Sequence, residues 1–156
     1  PEDFGILFGL NILAIMVGSY LNSRLVIRFG VRRMLAVGTT IALLGGIGLA
    51  ASAAYGGFGL LGIVIPIIVF MMPHNMVNAN ATVGAMEYFP HLAGTASAML
   101  GFIRFGTGAL VGALVGYFHD GTALPMSYII AGCVIGSAAA FWFLTGELSE
   151  KSAKPV

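Results

Sequence analysis

The feature that most constrains this chain is the length of its charge-free runs. Met34 to Met86 contains no Asp, Glu, Lys or Arg, and Phe4 to Ser23, Leu92 to Phe118 (Arg104 apart) and Ala123 to Thr145 are nearly as clean. A hydrocarbon core about 30 Å thick takes roughly 20 apolar helical residues to cross. The long central run holds two such lengths, divided by a turn signal at Tyr55-Gly56-Gly57. The count is therefore five spans, at about 4–22, 34–54, 58–83, 92–118 and 123–145. Together they make a bundle over 1–147, followed by a tail over 148–156. Helices are required, because an open strand cannot satisfy its backbone groups in lipid, and the alternating pattern of a membrane barrel is absent. The fold class is an all-α, polytopic membrane protein.

Composition excludes the soluble alternative. Charged residues are 8% and apolar residues 58% of the chain, against about a quarter charged in a soluble domain. The net charge of +1 gives no basic field, and no nucleic-acid partner is expected. The single Cys133 has no internal disulfide partner, and no Cys/His spacing suggests a metal. No cofactor and no catalytic residue is expected, so the chain does not read as an enzyme. It opens Pro1-Glu2-Asp3, acidic where a signal peptide is basic. That beginning reads as a piece cut from a longer protein.

The few cations orient the spans. Arg24, Arg28, Arg32 and Arg33 gather between the first and second spans, and Lys151 and Lys154 lie in the tail. The second-to-third and fourth-to-fifth connections have none. Positive loops stay inside, so the basic loop, the segment 87–91 and the C-terminus are expected in the cytoplasm. Small residues recur every four positions at Gly38-Ala42-Gly46, Gly108-Gly112-Gly116 and Gly132-Gly136, a spacing that lets helices approach closely in lipid.

Two places carry candidate chemistry. In the third span Pro66 and Pro73 remove helix bonds to the carbonyls of Gly62 and Val69. There Met71, His74, Asn75, Asn78 and Thr82 recur at helical spacing on one face, with Asn80 pointing elsewhere. Amides in a membrane helix need polar partners or a water-filled cavity. Either they join neighbouring helices, or they wall a cavity. In the fourth span Arg104 lies about a dozen residues along, roughly 18 Å at 1.5 Å per residue. Burying it costs at least about 2.5 kcal/mol. Ser97, Gly101 and Gly108 on its face leave room for a cavity. It reads either as a structural arginine or as a substrate or coupling residue. No Asp or Glu lies inside any span, so a protonation carboxylate would have to come from elsewhere.

Ser23 to Leu35, SRLVIRFGVRRML, resembles the major facilitator loop signature G-x-x-x-D-R-x-G-R-R-x-x-L. Arg28, Gly30, Arg32 and Leu35 match, and Arg33 is the neighbouring cation. Ser23 and Ile27 depart from the pattern, as in the degenerate copy between helices eight and nine. Pro1-Glu2-Asp3-Phe4-Gly5 to Leu10-Asn11 is similar to the Bcr/CflA group of drug–proton antiporters. So is Tyr88-Phe89-Pro90-His91-Leu92-Ala93-Gly94-Thr95-Ala96-Ser97 with Phe102-Ile103-Arg104-Phe105-Gly106 and Gly112-Ala113-Leu114. The resemblance covers the whole chain and makes it helices eight to twelve, the incomplete C-terminal half of a twelve-helix major facilitator fold. It implies that the third and fourth spans line the central cavity and that the second and fifth are outer scaffold.

The same resemblance implies a multi-pass protein of the bacterial cytoplasmic (inner) membrane. Its function would be to export amphipathic, chloramphenicol- or bicyclomycin-like drugs in exchange for protons, the coupling ion. Arg104, Asn75, Asn78, Met71, His74 and Asn11 are the expected substrate-binding residues of this half. The expected partners are the small molecule, the lipid bilayer and the missing N-terminal helices. Transport of a metabolite such as a sugar, and a non-transporting membrane subunit, are the competing functions.

Overall fold

The computed structural model describes residues 2–56, 59–87 and 90–152, with side chains over 5–56, 59–87 and 91–143. Lys151, Lys154, Tyr88 and Phe89, on which parts of the sequence argument rested, fall outside the described side chains. Six α-helices follow one another: α1 (Glu2–Phe29), α2 (Val31–Tyr55), α3 (Gly59–Met71), α4 (His74–Met86), α5 (Ala93–Tyr117) and α6 (Leu124–Ser152). A single 3-10 turn, Pro90–Leu92, precedes α5. No strand occurs among the described residues. Because α3 and α4 form one broken span, five stretches are long and apolar enough to cross a membrane: Gly5–Phe29, Val31–Tyr55, Gly59–Met86, Ala93–Tyr117 and Leu124–Phe143.

The basic segment between the first two spans is helical on both sides of one residue. Gly30 adopts φ 81° and ψ 160°, a region open essentially to glycine alone. Its N–H closes α1 onto the Val26 carbonyl at 2.8 Å, and its carbonyl accepts from Met34 at 3.2 Å. Arginine is a good helix former, and cations near a helix C-terminus suit its dipole, so Arg24 and Arg28 continue α1. Arg24 lies over the Tyr20 ring and Arg28 over the Phe29 ring, at 5.5 and 5.8 Å. Helix α6 likewise runs on through the first residues of the expected tail, to Ser152.

The uncharged connection before α6 is tied by its own side chains. The Asp120 carboxylate accepts from the Thr122 hydroxyl at 2.6 Å and from its N–H at 2.9 Å. The Thr122 oxygen in turn accepts from the Leu124 N–H at 3.3 Å. The hydroxyl bond first, then the backbone bond, holds the exposed Asp120 carboxyl below the usual carboxylate range.

Helix α2 is the centre of the packing, against α3 and α4 on one side and α6 on another. Lipid supplies no hydrophobic drive between helices, so close backbone approach must supply dispersion. A Cβ built on Gly38 would strike Met76 and Val77, one on Gly45 the Phe70 backbone, and one on Gly46 the Val134 side chain. Opposite them Ala131, Val134 and Ala138 of α6, spaced at i, i+3 and i+7, are buried. The other two small-residue stripes are not used this way. Gly108, Gly112, Gly116, Gly132 and Gly136 meet nothing within 4 Å. Helix α6 turns a different face to α2, and α5 has no buried residue at all.

This difference has a direct check. Gly45→Ala should lower the thermal stability of the detergent-solubilised protein by about 1–3 kcal/mol, the usual cost of overpacking. Gly112→Ala should be neutral or gain a few tenths of a kcal/mol from helix propensity. An equal loss at both positions would mean that another part of the protein covers the α5 stripe.

Candidate functional site

Of the two prolines in the third span, one breaks it. Pro66 sits inside α3 without ending it. Pro73 separates α3 from α4. The chain turns through Met72, whose N–H still bonds Ile68 at 3.0 Å, and restarts when Val77 bonds the Pro73 carbonyl at 2.9 Å. Support from a neighbour distinguishes the two sites. At the break α1 comes in through Gly18, whose added Cβ would fall on the Met72 carbonyl, and Pro73 is fully buried. Methionines 34, 72 and 76 gather around it in a cavity of about 120 Å³, where their flexible thioethers can repack.

The break sets the direction of the polar residues. His74 and Asn75, in the first turn of α4, are exposed, Asn78 and Thr82 are half-buried, and Met71 ends α3 half-buried. The Thr82 hydroxyl donates to the Asn78 carbonyl at 2.8 Å and accepts from Arg104 Nη2 at 3.3 Å, a use of one donor and one lone pair that a hydroxyl permits. Arg104 therefore joins the α4 polar face from near the middle of α5. It is exposed, and the Thr82 hydroxyl is its only hydrogen-bond partner among the described residues.

Not all the expected site residues meet. The recorded hydrogen bonds link Arg104, Thr82 and Asn78, and none links His74, Asn75, Met71 or Asn11 to them. Asn11 lies on α1, where its amide donates to its own Leu7 carbonyl at 3.4 Å and its Oδ1 is buried without a partner. Among the signature residues, Gly30 makes the turn and Arg28, Arg32 and Arg33 are exposed around it.

One polar contact escaped the sequence. Asn80, 3% exposed, donates to Asn22 Oδ1 at 2.7 Å and ties α4 to α1. Asn11, Ile15, Gly18 and Asn22 repeat at i, i+4, i+7 and i+11 along α1. That spacing was the available signal for Asn22.

The comparisons agree with the membrane architecture. Over 146 residues, 94% of the chain, it is 35% identical to a bicyclomycin resistance protein homolog of Haemophilus influenzae. Over 148 residues it is 34% identical to an uncharacterized MFS-type transporter of Bacillus subtilis. The chain spans 36% of the length of each of these relatives. No family model matches it, and no solved structure does.

The Asn22–Asn80 pair is measurable as a coupling. A double-mutant cycle with Asn22→Ala and Asn80→Ala, read by thermal stability, should give about 0.6–1.7 kcal/mol, the range of interhelical hydrogen bonds in membranes. A coupling indistinguishable from zero would make the contact incidental.

Proposed function

We propose, from a chain that belongs to the Bcr/CflA type of the major facilitator superfamily, that it is part of a secondary active transporter. The proposed activity is export of amphipathic drugs, chloramphenicol- or bicyclomycin-like, across the bacterial inner membrane in exchange for protons. The printed name of the Haemophilus relative refers to bicyclomycin resistance, which supports the substrate class.

The observation that carries this reading is Arg104. It is a fixed cation at mid-helix, left open, and restrained by one neutral hydroxyl. Intramembrane ions face the bundle interior or water and mark pathways. The broken α3–α4 span presents His74 and Asn75 at its open first turn. Interrupted helices of this kind form sites near the midplane between two halves that rock against each other. None of the five spans carries Asp or Glu, so the proton-binding carboxylate is assigned to the helices outside this chain. In the cavity Arg104 would hold an electronegative part of the drug and the amides would orient it. The loop residues Arg28, Gly30, Arg32 and Arg33 would sit at the cytoplasmic surface, with the C-terminus on the same side.

Two measurements follow. In proteoliposomes of the full-length protein, Arg104→Gln should reduce drug export by roughly tenfold or more, as expected for losing one hydrogen bond to a charged group. Arg104→Lys should keep part of the activity, since it retains charge without the planar fork. Both variants should melt near the wild type. A glutamine variant that exports normally removes Arg104 from the site, and one that no longer folds makes it scaffold. For orientation, single cysteines at positions 28 and 120 in a Cys133→Ala background can be probed with an impermeant maleimide on intact cells. Position 120 should label and position 28 should not. The reverse pattern would invert the topology.

A further inference from the structure

An open cleft of about 310 Å³ lies between the end of α4 and the first half of α5. Ala85 forms its α4 wall, and Leu92, Ala96, Met99, Leu100 and Ile103 its α5 wall. Its surface is apolar, and its volume falls at the lower end of ligand sites, about 300–1,000 Å³.

The cleft ends at a charge. Arg104 follows Leu100 by one helical turn and borders Ile103, so it stands at the edge and inner end of the α5 stripe. On α4, Thr82 precedes Ala85 by three residues, again one turn. The Arg104–Thr82 hydrogen bond thus crosses between the helices just past the last wall residues. A guanidinium has five N–H donors, and at Arg104 one bond of 3.3 Å to a neutral oxygen is recorded among the described residues. That is long beside the roughly 2.7–2.9 Å of a charge-assisted bond to an anion. The charge also has no carboxylate partner among those residues. A neutral guest would leave this cation uncompensated in a low-dielectric setting, and a cationic guest would be repelled.

We propose that the α4–α5 cleft binds an amphipathic organic monoanion. Its apolar body lies along Ala96, Met99 and Leu100, and its acidic head, a carboxylate or an equivalent oxyanion, takes the free N–H groups of Arg104. The inference rests on Arg104 facing a cavity, as in the transport reading, and it narrows the ligand to a charge class that reading leaves open. A free amphipathic acid and an anionic lipid share this chemistry. The wholly apolar, short cleft with its cation deep along α5 favours the free acid, because a phospholipid headgroup belongs at the membrane surface.

The test reads occupancy, not export. Met99→Cys in full-length protein carrying Cys133→Ala, in phosphatidylcholine nanodiscs, is labelled with N-ethylmaleimide in the presence of decanoate, decanol or decylammonium. Decanoate should slow labelling at concentrations about tenfold below those needed for decanol, the factor a difference of one charge-assisted bond supplies. Decylammonium should be weaker still. Arg104→Gln should erase the difference between decanoate and decanol, while Arg104→Lys keeps part of it. Equal protection by all three would reduce the cleft to an apolar surface and overturn the proposal. So would a cysteine that fails to label without any ligand, because other parts of the protein would then fill the cleft. Protection by phosphatidylglycerol discs without decanoate would make the anion a lipid and overturn the free acid. Failure here with Arg104→Gln still abolishing export would leave the transport reading standing. Protection by decanoate with export intact in Arg104→Gln would sink the transport role and keep the anion site.

Discussion

Everything in this bundle depends on how near α2 can come to its neighbours. Its core is small: Met34, Leu49 and Met76 are buried, with Ala131, Val134 and Ala138 from α6. In lipid such a core gains little from desolvation, so stability rests on dispersion across close backbones and on the few buried polar contacts. Gly38, Gly45 and Gly46 supply that closeness on two sides of one helix. With α2 fixed, α3–α4 and α6 are placed, and α1 is added against the broken span. Helix α5 receives least from this arrangement and is exposed along its length.

The break at Pro73 converts this scaffold into a directional one. A continuous third span would carry His74, Asn75 and Asn78 on the helix axis set by α3. The restart at His74 lets α4 follow its own partners: Met76 packs on Gly38, and Asn80 bonds Asn22. With those two contacts holding the buried side of α4, its remaining face presents Asn75, Asn78 and Thr82 away from α2. The same rotation brings Thr82 to Arg104 across the contact with α5. One proline, supported by Gly18 at the Met72 carbonyl, therefore governs both the buried amide pair and the open arginine.

Much of this was legible in the residues, and the remainder has identifiable causes. Charge-free length gave five spans because the bilayer imposes a minimum on apolar helix. The α3–α4 polar face followed from helical spacing, and Asn80 was separable from it by angle alone. Helix ends were less legible. Arg24 and Arg28 look like loop residues by charge, yet a helix of 25 residues is about 38 Å long and reaches the headgroups on its own, so cations at its ends need no loop. The small-residue stripes were equivalent as patterns. Only packing distinguishes Gly45, which touches Phe70, from Gly112, which touches nothing. Likewise Pro66 and Pro73 are the same residue type in the same span, and only the buried support at Pro73 decides which one breaks the helix. Asn22 was hidden because a single amide near a helix end carries no periodic signal without its partner.

The charge inventory links the two proposals about Arg104. Five spans carry one deep cation and no carboxylate. A carboxylate brought near this guanidinium from the other helices would have its ionised form favoured, and its proton released. An organic anion seated in the α4–α5 cleft would take the same N–H groups and exclude that carboxylate. The displaced carboxylate, now without its cation in a low-dielectric cavity, would regain its proton, because burial disfavours the charged form. Loading the cleft and protonating the partner acid would thus be linked through competition for one arginine. Exchange would then need no carboxylate in this half of the protein, only a cation whose neighbours, Thr82 above all, bind it weakly enough to leave it available.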